Sequence, residues 1–135
     1  MLKKIGLLAM AGMCWSSVAS AVPNNEEFSK CLKTNATDAG LTKCFEQETT
    51  VVKQEIRKTE DTLRPITTTE NGNINILYNY MSRYIHSYCA YYVQAHKGDG
   101  YSAAYHEAKC NLTRYMHYYR ELQGLYNVSM NDMEE

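Results

Sequence analysis

Apolar residues recur along most of this chain at intervals of three, four and seven, the spacing of one helical face. Leu41, Phe45, Val52, Ile56 and Leu63 define a long helix that begins near Asp38. Arg64-Pro65 should stop it, since the residue before proline avoids the α region. Ile74, Leu77, Met81, Ile85, Tyr88 and Tyr92 define the next helix, with His96-Lys97-Gly98 as its C-terminal end. Tyr105, Ala108, Leu112, Tyr115, Tyr119, Leu122 and Tyr126 define the last. Ser102 suits its N-cap and Gly124 its fraying end. Ahead of these, Phe28 and Leu32 stand one turn apart in a short helix over 25–33. Residues 34–38 read as a polar turn, 66–73 as a polar loop, and Asn127 to Glu135 as a loose polar tail.

The first 21 residues follow a different pattern. Lys3 and Lys4 precede an apolar run from Ile5 to Trp15, which is too short to span a bilayer. Ala19-Ser20-Ala21 then fits a small-x-small cleavage rule. The expectation is a signal peptide over 1–21, cleaved after Ala21, and a periplasmic or secreted mature chain without membrane insertion. Cleavage takes Lys3 and Lys4 from the 14 basic residues and leaves 12 against 15 acidic ones, a net charge of −3. That is one small domain, over 22–126, followed by the tail at 127–135. It has no basic patch or nucleic-acid motif, so nucleic acid is not an expected partner.

Four cysteines remain after cleavage: Cys31, Cys44, Cys89 and Cys110. An even number in a small exported chain reads as two disulfides, although four cysteines allow three pairings. Spacing favours one of them. Cys89 lies ten residues before Asp99 and Cys110 eleven after it, so a turn at Gly98-Asp99-Gly100 brings the two sulfurs level across a helical hairpin. Cys31 and Cys44 flank Thr37-Asp38 in the same way. The expected fold is therefore all-α: a small bundle of one short and three longer helices in two disulfide-stapled antiparallel hairpins. Packed helices lie about 8–10 Å apart and disulfide-linked Cα atoms about 4.4–6.8 Å, so each hairpin must pinch at its bridge. On a helical wheel Cys110, with His106 and His117, lies opposite the Tyr105/Leu112/Tyr119 stripe. The last helix must then bury two sides, the stripe against the second helix and Cys110 against the third; the alternative is a partly exposed stripe.

Candidate chemistry is sparse. The carboxylates form no motif-spaced pair for acid–base work, and no nucleophile elbow, phosphate loop or HExxH is present. The expectation is a non-enzyme without a cofactor. His106, Cys110 and His117 share a side and suggest a metal, but zinc needs thiolate and an oxidised Cys110 cannot supply it; hydrogen-bonded histidines are the better reading. The 12 tyrosines all fall between residues 78 and 126, against two phenylalanines in the whole chain. Most lie on the apolar stripes, as core residues whose hydroxyls reach water. Tyr80, Tyr84 and Tyr91 form a second line on the third helix, and Tyr118 lies off its own stripe. Tyrosine is enriched at protein interfaces, which makes this line a candidate contact surface.

Taken together, Cys31 and Cys44, Tyr84-x4-Cys89, Gly98-Asp99-Gly100-Tyr101-Ser102 and Cys110-Asn111-Leu112-Thr113-Arg114 resemble the small exported bacterial proteins of the lysozyme-inhibitor LprI type, also described as the domain of unknown function 1311. The resemblance spans nearly the whole mature chain. It implies a periplasmic helical protein that binds and inhibits a lysozyme-like muramidase by occluding its substrate cleft. The candidate contacts are Tyr80, Tyr84, Tyr91 and the turn Gly98, Asp99, Gly100, Tyr101 and Ser102. A second reading, from another class, is an immunity or adaptor protein that neutralises a cognate toxin or joins an envelope secretion assembly. Either way the expected partner is another protein; the oligomeric state is left open.

Overall fold

The computed structural model describes residues 25–65 and 73–132. The signal-peptide expectation over 1–21 and most of the 66–73 loop lie outside those residues. Among the described residues four helices make up the fold: α1 (Asn25–Thr34), α2 (Asp38–Leu63), α3 (Ile74–Ala95) and α4 (Ala103–Asp132). Both disulfides pair as the spacing predicts, Cys31 with Cys44 and Cys89 with Cys110, with Cα–Cα distances of 5.8 and 5.6 Å. The two hairpins are thus pinched below ordinary helix separation at their bridges. No helix among the described residues is long and apolar enough to cross a membrane.

Local chemistry sets the helix ends. The Thr37 hydroxyl accepts the Gly40 N–H at 3.1 Å and caps α2, while the Asn73 side chain accepts the Asn75 N–H at 2.9 Å ahead of α3. Ser102 caps α4 as expected, with its hydroxyl accepting the Tyr105 N–H at 3.1 Å. α2 stops where Pro65 predicts, but not because Arg64 leaves the helical region. Arg64 keeps φ −55° and ψ −43°, and its N–H still bonds to the Glu60 carbonyl. The ladder ends at Pro65, which has no N–H to give.

The end of α4 departs from expectation. The helix passes Gly124 and continues to Asp132, so 127–132 is helical rather than a loose tail. Gly124 keeps a right-handed conformation, the positive-φ glycines being Gly98 and Gly100. No proline follows, and Tyr126 still packs against the core, so one unfavourable residue does not end the helix.

α4 is the central element. It packs on α2 along one side and on α3 along the other, while α1 covers the start of α2. The Tyr105, Ala108, Leu112, Tyr115, Tyr119 and Leu122 stripe is buried, and so is Cys110 on the opposite side. This is the two-sided arrangement favoured from the wheel. Phe45, Val52, Ile56, Leu63, Ile74 and Ile85 complete the core. Phe45 meets Tyr105 edge-on at 5.5 Å and Phe28 at 5.9 Å, which joins α1, α2 and α4.

Candidate functional site: the α3 face and the hairpin turn

Tyr80, Tyr84 and Tyr91 all stand out from the bundle, with 69%, 45% and 80% of their surface exposed, and Ile76 joins them at 63%. Helical geometry explains the alignment. Residues 76, 80, 84 and 91 fall within an arc of about 80° and span about 22 Å of helix. The buried Cys89, Ile85 and Ile74 lie on the other side of α3 and hold it against the bundle. The ring of Tyr84 leans on Tyr88 at 5.9 Å, and the Arg114 guanidinium of α4 covers Tyr88 at 3.6 Å. Tyr118, off its stripe in sequence, is no part of this surface. It is buried between α2 and α4, where its hydroxyl donates to Glu60 Oε1 at 2.9 Å. Burial pushes the Glu60 carboxyl up and the Tyr118 phenol far above its ordinary value.

Beside this face a groove of about 560 Å³ opens where α2 and α3 diverge over α4. Lys53, Ser82, Arg83, His86, Asn111 and Tyr115 line it, and no carboxylate does. The Lys53 ammonium sits 4.6 Å over the Tyr115 ring, whose hydroxyl is 3.3 Å from Ser82 Oγ. α3 carries no acidic residue at all. Sequence reasoning missed the groove because its residues come from three separate helices.

The Gly98–Ser102 turn is exposed but tied back onto the bundle. Gly98 and Gly100 take φ values of +94° and +96°, a region that glycine enters without strain. They bracket Asp99, whose Oδ1 accepts the Tyr101 N–H at 3.1 Å and meets His106 Nε2 at 2.8 Å. Asp99 Oδ2 lies 3.6 Å from His96 Nδ1. The hydrogen bond from His106 holds the Asp99 carboxyl below the usual carboxylate range. Ser102 donates its N–H and its hydroxyl to Asp38, at 2.8 and 2.6 Å, and these two bonds lower the Asp38 carboxyl in turn.

Of the five turn residues marked as contacts, therefore, two supply backbone freedom and two tie their still-exposed side chains to His106 and Asp38. Tyr101 is left half exposed, with its ring stacked 4.3 Å from Tyr105. Sequence reasoning missed the role of His96 and Asp38, and grouped His106 with the wrong partners. His106 faces Asp99 and stacks on His96 at 5.0 Å, whereas His117 is exposed. The spacing of His96 and His106 around Asp99 was the available signal. A small cavity of about 170 Å³ lies beside His96, Tyr101 and His106. His106 itself is buried, and its Nδ1 has no hydrogen-bond partner. The contact of this ring with Asp99 is made through Nε2, which gives its proton to the carboxylate.

No protein-family model matches this chain, and neither a curated protein nor a solved structure does.

Proposed function

We propose that this chain is an exported inhibitor that binds a lysozyme-like muramidase through the outer face of α3 and occludes its substrate cleft. The observation that carries the reading is the row of exposed aromatics, Tyr80, Tyr84 and Tyr91 with Ile76, on a helix bonded to its neighbour by Cys89–Cys110. Aromatic anchors on a surface that is rigid before binding lose little freedom on association, so more of their contact energy survives as affinity. Contiguous exposed apolar surface of this kind is uncommon on a monomer unless it binds something.

Charge supports the choice of target. The face carries Arg83 and no acid, and borders a groove with Lys53 and His86. Glycoside hydrolases work with a pair of carboxylates beside the scissile bond, so the floor of such a cleft is acidic. The LprI-type resemblance points to the same class of enzyme. Tyr101, at the end of the α3–α4 hairpin, adds one more aromatic contact.

The purified mature chain should slow the lysis of cell walls by c-type or related lysozymes. A Tyr80→Ala/Tyr84→Ala/Tyr91→Ala variant should lose that effect and keep its melting temperature, because none of the three rings is in the core. Absence of inhibition at tens of micromolar across several lysozymes overturns the proposed target. Capture of a toxin through the same face, without inhibition of lysis, moves the reading to an immunity protein.

A further inference from the structure

We propose that His96, Asp99 and His106 form a binding site for one divalent transition-metal ion of the zinc class. The three ligands come from separate pieces of chain: the C-cap of α3, the turn, and the first turns of α4. Their donor atoms nevertheless lie within 4.8 Å of one another. Zinc bonded to nitrogen and oxygen at about 2.0–2.1 Å holds tetrahedral neighbours about 3.3 Å apart. Here Asp99 Oδ1 is 2.8 Å from His106 Nε2, and Asp99 Oδ2 is 3.6 Å from His96 Nδ1. Those two separations straddle the required one, and the two imidazoles lie within 4.8 Å of each other, so side-chain adjustment without a change of fold admits the ion. Two imidazoles and a carboxylate are also a donor set that zinc, copper and nickel accept and that magnesium and calcium do not favour.

Several features of the surroundings favour a cation, against Lys97 in the cavity lining and the positive end of the α4 dipole near His106. Asp99 is held in place between two positive-φ glycines, so a ligand is pre-positioned rather than recruited. α3 ends at this point, with the negative end of its dipole beside His96. The Asp38 carboxylate lies close enough to act on His106. Metal binds the unprotonated ring nitrogen of an imidazole, and His106 Nε2 already faces the Asp99 carboxylate. The cavity beside His96 and His106 leaves room for water or a further donor in an open position. Binding through Nε2 moves the ring proton to Nδ1, which has no acceptor among the described residues. Zinc-binding histidines with a complete outer hydrogen bond hold the metal about 10–100-fold tighter, so the expected affinity is micromolar rather than nanomolar. The ion would join α3 to α4 at the same end of the hairpin as the Cys89–Cys110 bridge.

The test is calorimetric titration of the untagged, oxidised mature chain with zinc chloride, with magnesium chloride as comparison. One zinc per chain and a raised melting temperature are expected, with no response to magnesium. His96→Ala, at a half-exposed position, should weaken zinc binding by at least about tenfold while leaving the metal-free melting temperature nearly unchanged. His117→Ala should change neither. Absence of zinc uptake at about 100 μM, or uptake that persists unchanged in His96→Ala, overturns the site. No target enzyme is present in this experiment, so its outcome is independent of the inhibitor proposal.

Discussion

Asp38 accepts both the N–H and the hydroxyl of Ser102, a residue 64 positions further along the chain. The first residue of α2 is thereby fastened to the N-cap of α4. The two helices start side by side and run parallel, and the turns of both hairpins lie at one end of the bundle. A carboxylate between two helix N-termini is also well placed in the fields of both. Replacing Ser102 with Ala removes the cap on Tyr105 and the hydroxyl's bond to Asp38, and keeps the backbone N–H bond to Asp38. A loss of about 1 kcal/mol is expected in urea unfolding, the usual cost of an N-cap. An unchanged midpoint would show that the junction is incidental.

The buried Glu60–Tyr118 pair sets a pH dependence. Burial raises the Glu60 carboxyl above its ordinary 4.5, and burial with nearby Glu27 raises Glu48 in the same direction. A carboxyl raised in the folded state binds its proton more tightly there, so it adds stability as pH falls towards 4.5 and loses that contribution as pH rises through the folded value. Asp38 is lowered below 3.8, so its contribution holds above that pH and disappears as pH falls through its folded value. Stability should therefore peak in weak acid, between these two regimes. Glu60→Gln keeps an acceptor for the Tyr118 hydroxyl and removes the charge. It should be more stable than the native chain at pH 7, with a flatter profile above pH 4.5. Urea midpoints from pH 3 to 8 check this; equal slopes in the two proteins would rule out Glu60 as the source.

The two disulfides should differ in reach. Cys89–Cys110 joins α3 to the central helix, with both cysteines buried. Its replacement by a serine pair should cost about 3 kcal/mol of global stability, as expected for a loop of this length. Cys31–Cys44 holds α1, which packs on α2. Its loss should instead raise amide exchange chiefly over Asn25–Thr34, with the α2–α4 core remaining protected. Hydrogen exchange on the two variants separates these outcomes.

Gly124 offers a gain. It lies inside α4 with open space around its Cα, and a Cβ there meets nothing within 4 Å. Gly124→Ala should stabilise the chain by up to about 1 kcal/mol, through helix propensity and a less flexible unfolded state. A destabilised variant would mean that α4 does not continue beyond this point in solution.

The four helices, their caps at Ser102 and the Gly98 end, the cysteine pairing and the exposure of Tyr80, Tyr84 and Tyr91 were legible in the sequence. Each depends on local spacing: an apolar face repeats every three or four residues, and a cysteine pair equidistant from a turn meets when the chain doubles back. The end of α4 was misjudged because its support beyond Gly124 comes from Tyr126 packing against the rest of the core. The parallel pairing of α2 with α4, the burial of Tyr118 against Glu60, the acid-free groove and the meeting of His96, Asp99 and His106 were decided only by the tertiary structure. These contacts join residues whose separation carries no period, and they exist because α4 buries two opposite sides at once, bringing the turns and helix faces of both hairpins against one another.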